Sequence, residues 1–523
     1  MTPRAVTFAV LGFAAGCAAT REVPPSQGAR FSGPAADAPL PLSLDAAREA
    51  HRMHEEKRHL RFLEAIRPGH LLRETGAAVP QSRIDAGEVS VAELRHAGRL
   101  LFEHEYTLAE GLGDARARAA AGRGESPFRR VHEARRGGPE TTTCASCHWR
   151  GGQGGAGALV DASLVLGDGD LADGADPRNP PPLQGSGAVE ALAAEMTRDL
   201  QAARARLVER AREEGRAVET RLVTKGVDFG VLRAGADGSV DTAGVDGVDP
   251  DLVVKPFGWK GTFATIRDFI SESLQLHFGI QSEDLVREHA RHPDPGLAGS
   301  GTDPEDPDGD GVTGELGSGQ LTALTVFVAT AELPVIRPPA ALHGFEPAAK
   351  NLQAPVPTDF LETWARGRAV FEEAGCARCH RPVLVLESAV YRTRSSVTRG
   401  VLEIDLSRDG ESPRLEHDPD LGGYPVYLFS DLKRHDLGPE SASLHEDRGV
   451  APREYLTRRL WGLASSSPYF YDGRAASLDA AIEAHAGDAI DSRSAFQALG
   501  REDQGALRIY LLSLTRERRI VVP

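Results

Sequence analysis

Two pentapeptides of one pattern hold four cysteines and two histidines: Cys144-Ala-Ser-Cys147-His148 and Cys376-Ala-Arg-Cys379-His380. A C-x-x-C-H unit suits covalent haem attachment. Both thiols add to the haem vinyl groups, and the histidine beside them binds the iron. The chain has five cysteines. The fifth, Cys17, lies near the N-terminus, so no thiol is left for a structural disulfide. A zinc knuckle would gather all four thiols and leave His148 and His380 without a role. A thioredoxin-like pair sits in a βαβ context, which the flanking sequence lacks. The expected cofactors are two covalently bound haem c groups, with His148 and His380 as proximal ligands.

The opposite face of each iron decides function, because a sixth protein ligand blocks a small substrate and an open site admits it. Methionine is scarce: besides Met1 there are Met53 and Met196, and none follows. The second haem must therefore take a histidine, stay open, or borrow a ligand from afar. Histidines after His380 are His417, His435, His445 and His485. For the first haem the candidates are His277 in "LQLHFGIQ" and Met196 in "LAAEMTRDL", or an open site. An open site that reduces peroxide needs a nearby acid–base group, for which Glu272 and Glu195 are candidates. Trp149 and Trp461 are candidates for an electron relay. The segment "EDPDGDGVTGEL" places Asp306, Asp308 and Asp310 at the spacing that opens a calcium loop. Gly317 stands at the twelfth position in place of glutamate, so the loop is not a full EF-hand.

The elements that must position these residues come next. The chain has 523 residues, 41% hydrophobic and 26% charged, with a net charge of −16. That length holds two or three domains. The acidic balance argues against nucleic acid and anionic membrane surfaces as partners, and suits a small electron-donor or acceptor protein such as a cytochrome or cupredoxin. The start, "MTPRAVTFAVLGFAAGCAAT", has Arg4, a short apolar run and small residues before Cys17. It reads as an export signal too short to span a membrane. The expectation is a signal peptide over 1–16, lipidation of Cys17, and periplasmic anchoring by lipid alone. An Ala/Pro/Ser/Gly-rich tether covers 17–42, and helix formers with His51, Met53, His54 and His59 cover 44–70.

From residue 90 an internal repeat appears. "AGRLLFEHEY" (97–106) precedes the first C-x-x-C-H and "RGRAVFEEAG" (366–375) the second; both contain Gly-Arg-x-x-Phe. Each half ends in an apolar helical stretch, at 321–333 and 505–514. The first copy is lengthened by a Gly-rich stretch (151–187), a helix (187–216) and a turn-rich segment (226–258). The expected fold is mainly α: an N-terminal cytochrome c-like domain with loop-rich insertions over 43–335, a Pro-rich linker over 336–360, and a C-terminal cytochrome c-like domain over 361–516.

In order along the chain, "TCASCHWRGGQGG", "PPPLQGSGAVEALAAE", "VKPFGWKG", "GCARCHRPVL", "FSDLKRHDLG", "LWGLASSSPYFYDGRAASLDAAIEAHAGDA" and "ALRIYLLSL" resemble the di-haem oxidoreductase family of peroxidase-like proteins. That family is related to bacterial di-haem cytochrome c peroxidases and to di-haem enzymes of methylamine utilisation. The resemblance spans about residues 90–516. In the peroxidases the methionine that caps the C-terminal haem lies twelve residues after the glycine of a "P-Y-F-H-x-G" element. Here "PYFYDG" (468–473) has that spacing, and His485 takes the methionine's place. Tyr471 stands where relatives have histidine, which puts transfer of that residue's role in doubt. The resemblance also puts His435 beside the second haem as a hydrogen-bonding neighbour. Arg474 is a candidate partner for a haem propionate. Relatives hold calcium between domains, which transfers no ligand. The implied function is an exported di-haem oxidoreductase, peroxidase-like, with one electron-transfer haem and one reactive haem. A non-catalytic electron carrier and an oxidase of an organic or protein substrate remain the alternatives.

Overall fold

The computed structural model describes residues 77–292, 301, 303–336 and 358–515. The expected signal peptide, Cys17, the tether, the 44–70 helix and most of the 336–360 linker lie outside the described residues. Helices named below are α1 (Val91–Glu103), α2 (Ser186–Glu214), α3 (Ile266–Phe278), α4 (Ser318–Ala329), α5 (Thr358–Glu373), α6 (Leu478–Glu483) and α7 (Arg501–Leu512). No helix among the described residues is long and apolar enough to cross a membrane.

The repeat seen in the sequence is a repeated helix crossing. Helix α1 starts at a capping box, where the Ser90 side chain accepts from Glu93 N–H and the Glu93 carboxylate accepts from Ser90 N–H. It buries Leu94, Ala97, Leu101 and Phe102. Gly98 lies where α1 meets α4: a Cβ there would stand 2.7 Å from both the Ala323 carbonyl carbon and Phe327 Cβ. In the second half, a Cβ on Gly367 of α5 would stand 2.6 Å from the Ala506 carbonyl carbon and 2.8 Å from Tyr510 Cβ of α7. The glycine of Gly-Arg-x-x-Phe thus lets two backbones touch in both halves. The phenylalanine four residues on packs near each haem motif: Phe102 lies 6.4 Å from the His148 ring, and Phe371 packs edge-on at 6.0 Å to Phe429, whose carbonyl accepts from His380 Nδ1.

The expectation of a mainly α chain is corrected. The structure is only 38% helical, with 17% strand. The largest sheet is an antiparallel meander of Val218–Thr224, Val227–Ala234 and Val240–Asp241, mostly within the segment read as turns. Its signal was present: Leu222, Thr224, Val227, Phe229, Leu232 and Ala234 are buried, in pairs two residues apart with one slip between Phe229 and Leu232. Lys225 and Gly226, both at positive φ, close the hairpin. Val131–Glu133, Ser163–Gly167 and Asp176–Arg178 form a second sheet behind the first haem motif. Short two-stranded ribbons, including Arg434–Asp436 with Glu454–Leu456, frame the second. Polar loops between motifs supply these strands, so helical periodicity alone underweights them.

Two hydrophobic cores result. The larger packs α1, α2, α3 and α4 with the 218–234 sheet and also takes in Leu384, Tyr391, Ile404 and Trp461. The smaller joins α5 and α7 through Val370, Phe371, Leu507, Tyr510 and Leu511 with Phe429 and Phe496. Each fully buried side chain of this size stabilises by about 1.5–3 kcal/mol. The smaller core therefore fixes α5, and with it the turn that follows at Cys376.

Candidate functional site

Each C-x-x-C-H unit folds as a short 3-10 turn at the end of the crossing described above, Cys144–Ser146 and Cys376–Arg378. The carbonyl of the first cysteine accepts the histidine N–H in both, at 3.2 Å for His148 and 3.0 Å for His380. All four cysteines are free. Burial pushes the thiols up, to about 12 for Cys144 and about 11 for Cys147 and Cys376. Those three are therefore neutral thiols.

Each turn opens on a cavity. The first, of about 170 Å³, is lined by Cys144, Cys147, His148, Glu272 and His277. The second, of about 260 Å³, is lined by Cys376, Cys379, His380, His485, Arg458 and Arg459. His148 Nδ1 donates to Gly155 O at 3.2 Å, and His380 Nδ1 donates to Phe429 O at 3.0 Å. Carbonyls only accept, so both Nε2 atoms carry free lone pairs. Burial lowers both imidazoles to about 4, which keeps them neutral and able to bind a metal.

Across the second cavity His485 follows α6, whose N-cap Ser477 accepts from Ala480 N–H. Its Nδ1 donates to Ala481 O at 2.7 Å, which frees Nε2 in the same way. The His380 and His485 ring centres are 6.3 Å apart. Two imidazoles that each hold one metal ion at about 2 Å have ring centres about 6 Å apart, so the pair is spaced for one ion between them. Across the first cavity no ring contact joins His148 to His277. There His277 Nδ1 meets Glu140 Oε1 at 2.6 Å.

Residues 358–514 match the family described as "Di-haem oxidoreductase, putative peroxidase". The chain is related to the di-haem oxidoreductases. No curated protein matches it. Among solved structures, hydrazine synthase of Kuenenia stuttgartiensis pressurised with xenon is similar at 20% identity and a TM-score of 0.21, over 38% of this chain and 55% of that one. The chain thus matches about half the length of that relative. A MauG-like protein associated with microbial copper homeostasis is similar at 14% identity and a TM-score of 0.24, over 55% of this chain and 77% of that one.

The match of residues 358–514 to a di-haem family implies haem, and the residues present fit it. Each cavity offers a thiol pair and the imidazole of a C-x-x-C-H histidine. The second also holds two cations that need an anion. Arg459 donates only to Pro182 O, Gln184 O and Ser186 Oγ, and lies over Trp461. Arg458 donates to Gly258 O and lies over Trp259. Among the described residues no carboxylate pairs with either. Burial alone lowers Arg458 to about 10; burial and then Arg458 lower Arg459 to about 9. Two uncompensated guanidiniums suit the propionates of a haem.

The two cavities share a wall made of Asn179, Pro180, Pro181 and Trp259. Trp259, which sequence reasoning passed over, is the tryptophan that lines both, and its Nε1 donates to Asn179 O at 2.8 Å. The expected relay residues lie elsewhere. Trp149 is 52% exposed, and Trp461 lines the second cavity alone. Arg474 is not at a cavity; Asp472 at 2.6 Å and Tyr471 at 2.7 Å occupy it. Arg458 and Arg459 stand in its expected place, and their adjacency in "TRRLWG" was the available signal.

The remaining candidates divide. Met196 is fully buried in the larger core and lines neither cavity. Glu195 is a structural anchor, paired with Lys225 at 2.6 Å and accepting the Glu387 and Ser388 N–H groups. Glu272 lines the first cavity, paired with Arg448 at 2.8 Å. His435 lines the second; burial disfavours its cation, but Asp431 at 2.8 Å prevails and raises it to about 10. Tyr471 is buried and stacked on Tyr455 at 4.6 Å. Asp306, Asp308 and Asp310 converge, each buried, with ligand atoms within 4.8 Å of one another.

Proposed function

We propose that this protein is an exported di-haem c-type cytochrome that reduces peroxide, with the second haem passing electrons and the first reacting. The observation that carries the reading is the difference between the two cavities. His380 and His485 face one another at 6.3 Å, the spacing for an ion capped on both sides. His148 has no such partner, and the cavity in front of it is lined by polar and charged groups. Haem, when bound, supplies one-electron chemistry at iron. The chain's residues do the rest. The four cysteines hold the two groups covalently. His148 and His380 present neutral nitrogens, Arg458 and Arg459 offset propionate charge, and Trp259 fills the wall between the cavities. An acidic surface favours a small basic donor protein.

The test is spectroscopic. In the half-reduced holoprotein, one haem should be high-spin, bind carbon monoxide and react with hydrogen peroxide; the other should stay low-spin. Two low-spin haems that ignore peroxide would leave only the electron carrier. The opening residues support export and lipidation at Cys17. Mass spectrometry of the membrane fraction should find a diacylated N-terminal cysteine, lost in C17S.

The aspartate cluster supports a bound calcium ion. Asp308 is 2% exposed, and its Oδ2 has no hydrogen-bond partner. Burial and the nearby aspartates push Asp308 up to about 8 and Glu315 up to about 10, as expected of crowded carboxylates; the cation beside the cluster, Arg118, pairs with Asp310 at 3.2 Å. Chelation should lower Tm and added calcium restore it, in the parent but not in D308N.

A further inference from the structure

Five imidazoles line the two cavities: His380, His435 and His485 the second, His148 and His277 the first. His435 is held by Asp431 and lies beside the Cys379 thiol; the other four have Nδ1 on an oxygen, and His277 differs from the rest in its partner. Behind His148, His380 and His485 stands a neutral backbone carbonyl. Behind His277 stands a carboxylate. Glu140 Oε1 meets His277 Nδ1 at 2.6 Å and accepts the Ser163 hydroxyl at 2.5 Å. Its Oε2 meets His132 Nε2 at 3.0 Å. His132 is fully buried, and its Nδ1 accepts the Gly138 N–H at 3.3 Å. That bond makes Nδ1 an acceptor, so Nε2 carries the proton and donates to Glu140. Burial opposes ionisation of Glu140, yet the imidazoles and their hydrogen bonds hold its carboxyl well below the usual range.

The carboxylate therefore accepts from three donors and fixes the tautomer of His277, with Nδ1 protonated and Nε2 a free base. The backbone holds the arrangement too. Glu140 N–H donates to His277 O at 2.9 Å, and Gly113 N–H donates to Phe278 O at 2.7 Å. The His277 side chain is 28% exposed, and it lines the cavity that holds His148. A carboxylate behind an imidazole fixes its tautomer and ring orientation and offsets the charge of a proton it takes up. A neutral carbonyl offsets that charge far less. Ring spacing separates the two roles: His485 lies at ligand distance from His380, and His277 makes no such contact with His148.

We propose that His277 is the proton acceptor for a small hydroperoxide in the first cavity and that Glu140, backed by His132 and Ser163, is its positioning residue. This rests on the reading that the first haem is the reactive one. In the step, the O–H bond of the hydroperoxide breaks and its proton passes to His277 Nε2. The electron pair stays on the substrate oxygen as a hydroperoxide anion, and Glu140 balances the imidazolium. No electron is transferred. The structure thus turns His277 from a candidate iron ligand into a base that leaves the iron open.

Stopped-flow ligand binding tests this on the holoprotein, with probes that differ in whether they must lose a proton. Hydrogen cyanide and hydrogen peroxide must; carbon monoxide need not. In His277→Ala the binding rates for peroxide and cyanide should fall by about 10²- to 10⁴-fold, with the carbon monoxide rate within about twofold of the parent. The spin state of the first haem should not change. Glu140→Gln keeps shape and imidazole but lets an amide N–H donate to Nδ1, the wrong tautomer. It should slow cyanide and peroxide with the optical spectrum and the carbon monoxide rate unchanged. A first haem that passes from low-spin to high-spin in His277→Ala would make His277 a ligand and overturn the proposal. So would an unchanged cyanide rate. If the parent binds neither carbon monoxide nor peroxide, the reading of the first haem fails before the role of His277 is reached.

Discussion

Replacing Gly367 by alanine sets two effects against each other. Glycine in a helix interior is about 1 kcal/mol less favourable than alanine, so alanine gains that much wherever its methyl group is free. At Gly505, in α7, it is free: nothing stands within 4 Å of the Cβ position. At Gly367 the same methyl would stand 2.6 Å from the Ala506 carbonyl carbon and 2.8 Å from Tyr510 Cβ. Carbon atoms settle about 3.5 Å apart or more, so α5 and α7 must separate by about 1 Å. The obstacle is backbone and cannot rotate away. Separation loosens Val370, Phe371, Leu507, Tyr510 and Leu511, all buried in the smaller core. Overpacking of this kind costs about 1–3 kcal/mol, and a backbone obstacle belongs at the upper end. After the propensity gain, G367A should lose about 1–2 kcal/mol, while G505A should gain about 0.5–1 kcal/mol. Because α5 leads into the Cys376 turn, G367A should also weaken the low-spin signal of the second haem. Urea denaturation of the holoprotein, followed by far-ultraviolet circular dichroism and haem absorbance, measures both. A G367A protein as stable as G505A would refute the close crossing.

Further outcomes follow from the sites. His485→Ala should turn the second haem high-spin, and His485→Met should keep it low-spin at a higher potential; an unchanged spectrum in the alanine variant would remove His485 from the iron. Replacing Arg458 and Arg459 together by leucine should lower the second haem's reduction potential, since two cations that favour the reduced state are lost; potentiometry reads it, and an unmoved potential would place the propionates elsewhere. Glu190 is buried, and desolvation raises it to about 8 despite bonds from Ile266 N–H and Tyr391 OH. Between its unfolded value and about 8 the folded chain keeps a proton that the unfolded chain has lost, so stability should fall as pH rises, by up to about 1.4 kcal/mol per pH unit. Glu190→Gln should flatten that fall in urea midpoints measured from pH 5 to pH 8.5, and parallel slopes would show that Glu190 does not titrate there.

The two C-x-x-C-H turns were legible in the sequence because they are local. Five consecutive residues supply both thiols and the imidazole, and the same turn forms at Cys144 and at Cys376. The repeat was legible for a related reason: a glycine that lets two helix backbones touch cannot vary in type, so Gly98 and Gly367 mark the crossing in one dimension. The strands were harder to see. The 218–241 sheet alternates at period two around Lys225-Gly226, but glycines and aspartates nearby give the same region the look of turns.

The open side of each iron was decided by tertiary structure, because the groups that face a C-x-x-C-H histidine come from segments far away in the chain. The Gly473 spacing named His485, and packing of α6 brings it across from His380. The sequence favoured His277 over Met196 as a ligand and named Glu195 only as an acid–base candidate; each sits on a helix with polar neighbours, so sequence could not assign its role. Folding buries Met196 in the core, ties Glu195 to Lys225, and leaves His277 at a cavity with Glu140 behind it. Glu140 and His277 are 137 positions apart, and Trp259 is likewise far in sequence from either cysteine turn. The sequence alone determines where the two C-x-x-C-H units lie; only the fold decides which imidazole nitrogen is free, what stands behind it, and which groups line the cavity in front of it.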